Sequence, residues 1–131
     1  MSNNMTWHCE IILQNDEECA GVVACLTTHV MSRIYHRYDG RAYENQTPIR
    51  ICVLAQFIRM YVEELTDYGN EYFGKNPMTA ELICGALQEI SFKEIAENLI
   101  GDYHQKSPAE IAESEEFFNV MGFGNYDIDE D

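Results

Sequence analysis

The sequence predicts a mainly α protein, a bundle of four to five helices, and three observations carry that reading. Apolar residues recur at spacings of three and four through most of the chain. Capping residues stand just ahead of those runs, twice within a Ser-x-x-Glu box. The 131 residues are 46% hydrophobic and 24% charged, the composition of a folded domain long enough to bury a core without staples.

Taken in order, the first segment, "MTWHCEIILQ", has two readings. Trp7, Cys9, Ile11 and Leu13 alternate as a strand would, whereas Thr6 can cap a short helix. A strand here needs a partner, and "FGNYDI" near the other end is the only one in the chain, so a short β pairing of the termini stays open. Asn15 or Asp16 then caps a helix with an acidic first turn. Its apolar positions Cys19, Val22, Val23, Leu26, Val30 and Ile34 predict one buried face up to about Tyr38, where "YDGRAYENQ" breaks the pattern.

Thr47 and Pro48 open the next helix, proline at the first helical position losing nothing by its missing N–H. Apolar residues surround this helix on most sides, which predicts a central position, with Gly69 as its stop. Asn76-Pro77 or Thr79 starts "TAELICGALQEI". Ser91 with Glu94 caps "FKEIAENLIGDY", and Ser107 with Glu110 caps "IAESEEFFNVMGF". Residues 1–125 are expected to form a single helical domain and residues 126–131 an acidic C-terminal tip.

Charge narrows the function classes. The net charge is −15, and it is unevenly laid out. Five arginines lie between residues 33 and 59, while residues 60–131 carry seventeen acids against three lysines. Such a chain repels nucleic acid and anionic membrane and attracts basic surfaces. No apolar run reaches the length of a membrane span and the N-terminus has no basic and apolar leader, so a cytoplasmic protein is expected. The five cysteines are odd in number and form no C-x-x-C pair, which reads as reduced, buried thiols.

Catalytic and metal signatures are thin. Cys25, His29 and His36 share one face if their helix runs through all three, but a tetrahedral metal site needs a further ligand folded across from His8, Cys9 or His104. The simpler reading puts Cys25 in the core and both histidines at its rim. Cys25 also lacks the electropositive surroundings that activate a thiol. No phosphate loop, dinucleotide fingerprint, nucleophile elbow or zinc-protease motif is present, and the spaced acids of "GFGNYDIDED" lack the rest of a calcium loop. The expectation is a protein without enzyme activity, cofactor or metal.

Two sets of residues suit protein binding. In "RIYHRYDGRAY", Arg33, Arg37 and Arg41 mix with Tyr35, Tyr38 and Tyr43, the residue types that anchor interfaces. The same arginines can instead neutralise acids of their own chain. Carboxylates at Glu63, Asp67 and Glu71, at Glu94 and Glu97, and at Glu110, Glu113 and Glu116 line up along helices about 5 to 6 Å apart, with Asp127 and Asp129 beyond them. Two such rows side by side would imitate the phosphates of DNA, which repeat every ~3.4 Å along a strand.

Size, acidity, the end "YDIDED" and the "ISFKEIAENLIGDY" helix make the chain resemble the small phage and mobile-element proteins that block restriction or CRISPR enzymes, some by mimicking DNA. The resemblance implies an inhibitor that occupies a basic, nucleic-acid-binding surface of a host defence nuclease, without binding nucleic acid itself. The aromatics and the several basic side chains favour a mixed form, with aromatic anchors and acids at the rim. The alternative is a structural or adaptor subunit held to its partner by the Arg and Tyr patch, and a homodimer stays open. Phe117, Phe118, Val120, Met121 and Phe123 are expected to pack back on the bundle, with Tyr126 onward projecting; the other reading leaves these residues exposed as a partner-binding motif.

Overall fold

The computed structural model describes residues 3–72 and 77–130, with the side chains of residues 67–72 and 77 outside that description. The described chain is mainly helical: α1 (Asn4–Asn15), α2 (Glu17–Met31), α3 (Thr47–Tyr72), α4 (Pro77–Glu89), α5 (Phe92–Gly101) and α6 (Pro108–Val120), then a 3-10 turn at Phe123–Asn125. Among the described residues the helices number six rather than four or five.

The ambiguous N-terminal segment is α1, so the β pairing of the termini does not form. Asn3, not Thr6, is its cap, accepting from the Thr6 amide. Thr6 lies inside the helix, wholly buried, and its Oγ1 accepts the Ser91 amide at 2.8 Å. Asn3 Nδ2 donates to the Glu89 carbonyl, so the start of α1 is tied to the connection between α4 and α5. The alternation of apolar residues is misleading because Trp7 faces solvent and Leu13 the core.

Local caps fall where the sequence puts them. Asp16 accepts from the Cys19 amide, Ser91 from Glu94 and Ser107 from Glu110, each satisfying an otherwise orphaned helix N–H. The Cys19 amide holds the Asp16 carboxyl below its ordinary pKa. Helix ends are less local. α2 stops at Met31, well short of Tyr38, and Ile34, expected in the buried stripe, is 59% exposed. α3 runs on through Gly69 to Tyr72.

α2 packs against α1, α3 and α6, and α3 packs against α5 and α4. The shared core is built from Val22, Leu26 and Val30 of α2, Val53, Leu54 and Ile58 of α3, and Ile95 of α5. Each such buried aliphatic side chain contributes roughly 1.5–3 kcal/mol. The centre is therefore divided between α2 and α3, not held by α3 alone. Among the described residues no helix is long and apolar enough to cross a membrane.

Residues 126–129 of the acidic end fold back on the bundle. Phe123 is buried, Tyr126 and Ile128 pack on the core, and the Tyr126 hydroxyl donates to the Glu64 carboxylate of α3. Burial and the neighbouring Glu64 raise the Tyr126 phenol. Gln56 grips both backbone groups of Asp129, donating to its carbonyl at 2.7 Å and accepting its amide at 2.8 Å. The apolar residues before it divide: Phe118 and Phe123 are buried, while Phe117, Val120 and Met121 stay exposed, Val120 at 78%.

Candidate protein-binding surface

Residues 32–46 form a fixed loop that displays the Arg and Tyr patch. Gln46 holds it from within, its Oε1 accepting the Tyr35 amide and its Nε2 donating to the carbonyls of Tyr35 and Tyr43. Tyr35 and Tyr43 turn inward, Tyr35 buried and Tyr43 half-buried against the core. At the tip, the Arg37 amide donates to the Arg41 carbonyl, the Gly40 amide donates to the Arg37 carbonyl, and His36 and Ala42 form an antiparallel bridge. Gly40 has φ +87°, a left-handed conformation that makes glycine the natural residue at this reversal. The result is a hairpin-like finger with Tyr38 at its end, 98% exposed between Arg37 and Arg41.

The arginines do not simply cancel their own chain's acids. Arg59 pairs with Glu63 at 2.9 Å and Arg37 approaches Asp39 at 3.8 Å. Among the described residues Arg33, Arg41 and Arg50 make no ion pair. Of the predicted patch, the structure brings Arg37, Tyr38 and Arg41 together on the finger, while Arg33 sits at its base and Tyr43 faces inward.

The acidic rows are dispersed. Glu97 pairs with Lys93 on α5, at the limit of contact, and Glu94 is partly buried beside the Ser91 cap. Glu63 is partly buried and engaged with Arg59; Asp67 and Glu71 have side chains outside the described residues. Glu110, Glu113 and Glu116 are exposed on α6 and make no ion pair among the described residues. α6 packs on α2 and the 3-10 turn, whereas α5 packs mainly on α3 and also on α1 and α2, so the α5 and α6 rows are not on helices packed side by side. Asp127 is exposed, and Asp129 is fixed through its backbone by Gln56.

Between α2 and α6 lies a pair that sequence reading missed. His29 Nδ1 lies 2.6 Å from Glu115 Oε1, and its ring stacks on Phe118 at 3.8 Å between centroids with Phe57 set edge-on. With Nδ1 protonated it donates to the carboxylate, leaving Nε2 to accept from Arg33 Nη1 at 3.5 Å. Burial lowers the His29 pKa more than Glu115 raises it. The signal was present only as a histidine on an apolar stripe, because its partner lies 86 residues away.

The shared face considered for Cys25, His29 and His36 does not form. His36 is on the exposed loop rather than on α2, the Cys25 thiol donates to the Ser114 carbonyl, and no group of three metal-type ligands occurs among the described residues. Burial raises the Cys25 thiol and lifts Cys9 to about 11, so both stay protonated and unreactive near neutral pH. The expectation of buried cysteines holds for Cys19 and Cys25, while Cys52 and Cys84 are exposed; all five are free thiols. No family model, no curated protein and no solved structure matches the chain.

Proposed function

We propose that this chain is a non-enzymatic inhibitor that binds a protein partner through the partner's basic, nucleic-acid-contacting surface, as the anti-defence proteins it resembles do. The observation that carries the reading is unspent negative charge on a rigid support. At −15 net charge, Glu110, Glu113 and Glu116 stand exposed on α6 and form no ion pair among the described residues. Dispersed rows favour docking by charge excess with aromatic anchors over a continuous copy of a phosphate track.

Tyr38 at the finger tip favours a second reading, an adaptor whose Arg and Tyr finger enters a partner's pocket with no anti-defence role. Pull-down from lysate at low and moderate salt, with duplex DNA as competitor, separates the two. A partner displaced by DNA and lost as salt rises supports the inhibitor, because charge-led contacts are screened. A partner kept at moderate salt, indifferent to DNA and lost on Tyr38→Ala supports the adaptor and sinks the inhibitor.

A further inference from the structure

We propose that Arg33, Tyr35 and Arg50 form a binding site for a single oxyanion, a carboxylate or a phosphate. Tyr35 is 4% exposed and its backbone is locked by Gln46, yet its hydroxyl has no hydrogen-bond partner among the described residues. Arg50 Nε is buried and equally unpartnered. Folded domains leave few such donors unclaimed, and two from neighbouring side chains point to a missing acceptor.

Arg50 is tied to the backbone of Arg33, and the Arg33 guanidinium is placed separately. Arg50 Nη2 donates to the Arg33 carbonyl at 2.7 Å, which pins the first turn of α3 to the base of the finger. Arg33 Nη1 lies 3.5 Å from His29 Nε2, so its guanidinium is placed by a ring that Glu115 already fixes. Neither arginine has a carboxylate within ion-pair distance among the described residues, in a chain where 23 acids outnumber 8 lysines and arginines.

Both guanidiniums act on the Tyr35 phenol electrostatically, as do Glu115 and Glu130 from α6 and the C-terminal segment. Burial dominates, pushing the phenol up to about 12, so it remains a hydrogen-bond donor at every ordinary pH. A phenol, a guanidinium Nε–H and a second guanidinium supply what a carboxylate or phosphate requires: several donors, two of them charged. The site is independent of the inhibitor reading, since it needs neither the acidic rows nor Tyr38.

The test is a two-dimensional NMR titration of the full chain with inorganic phosphate, and separately with acetate, at ionic strength held constant with sodium chloride. Saturable shifts are expected at Arg33, Tyr35 and Arg50. Tyr35→Phe removes only the hydroxyl and Arg33→Gln alters an exposed side chain, so each keeps a native spectrum and weakens binding about tenfold. Saturation by one anion alone identifies the chemistry the site takes. No saturable shift with either anion, or one that Tyr35→Phe leaves unchanged, overturns the proposal.

Discussion

Along the seam between α2 and α6, order comes from side chains. Phe118 stacks on His29 and meets Phe57 and Phe123, and His29 is held in turn by Glu115. In the finger of residues 32–46, order comes from the backbone, from Gln46 and from Tyr35 and Tyr43 at its base, which leaves Tyr38, Arg37 and Arg41 at the tip with no packing duty. A region fixed through its side chains has spent them on the fold. A region fixed through its backbone keeps them for a partner at no cost in ordering on contact.

The sharpest way to break this comparison is Phe118→Ala, which opens a cavity where three rings meet. A loss of about 3–5 kcal/mol is expected in denaturant unfolding. Phe117→Ala, one residue away and exposed, should move the midpoint little. Equal effects would mean that the seam is not what holds α6.

Gln46→Ala should come next. It removes three hydrogen bonds and strands the Tyr35 amide, at a cost of roughly 1–3 kcal/mol. Hydrogen exchange should accelerate at Tyr35 and Tyr43 and stay slow in α2, which locates the damage in the finger.

The seam should also respond to pH. Because burial holds His29 below its unfolded value, the folded state binds fewer protons there than the unfolded chain. Its contribution to stability is complete above pH about 6.5 and declines as pH falls from there toward the lowered folded value. His29→Gln should flatten that decline in thermal melts between pH 7 and 5. An unchanged slope would assign it to the many carboxylates instead.

The smallest effect on stability belongs to Tyr38→Ala, within about 0.5 kcal/mol of the parent. Any loss of partner capture by this variant is then a loss of contact, not of fold. A large drop in stability would show that the finger depends on its tip.

What could be read from the sequence follows the range of each determinant. The caps at Asp16, Ser91 and Ser107 were legible because a side chain and the amide it satisfies lie three residues apart. The end of α2 was not, because nothing at Met31 marks it. What stabilises the alternative is Gln46, bonded to Tyr35 from eleven residues on. Likewise α1 read as a strand or a helix because its deciding partners, Glu89 and Ser91, lie more than eighty residues away.

The candidate site divides in the same manner. Arg37, Tyr38 and Arg41 were found by residue type, while Arg50 was passed over because its place beside Arg33 exists only once α3 has docked. The acidic rows were visible as spacing, but whether rows on separate helices share a face is a property of packing, and α6 turned out to lean on α2 rather than on α5.

The link between Thr6 and Ser91 bears on how the molecule assembles. It joins positions 85 residues apart, so the buried hydroxyl of the first helix meets the amide it serves only once the start of α5 is in place. Such a long-range closure is expected to form after the barrier has been crossed. Thr6→Val should therefore speed unfolding in stopped-flow measurements while leaving the refolding rate nearly unchanged. The first of the described helices in sequence would be the last to find its place.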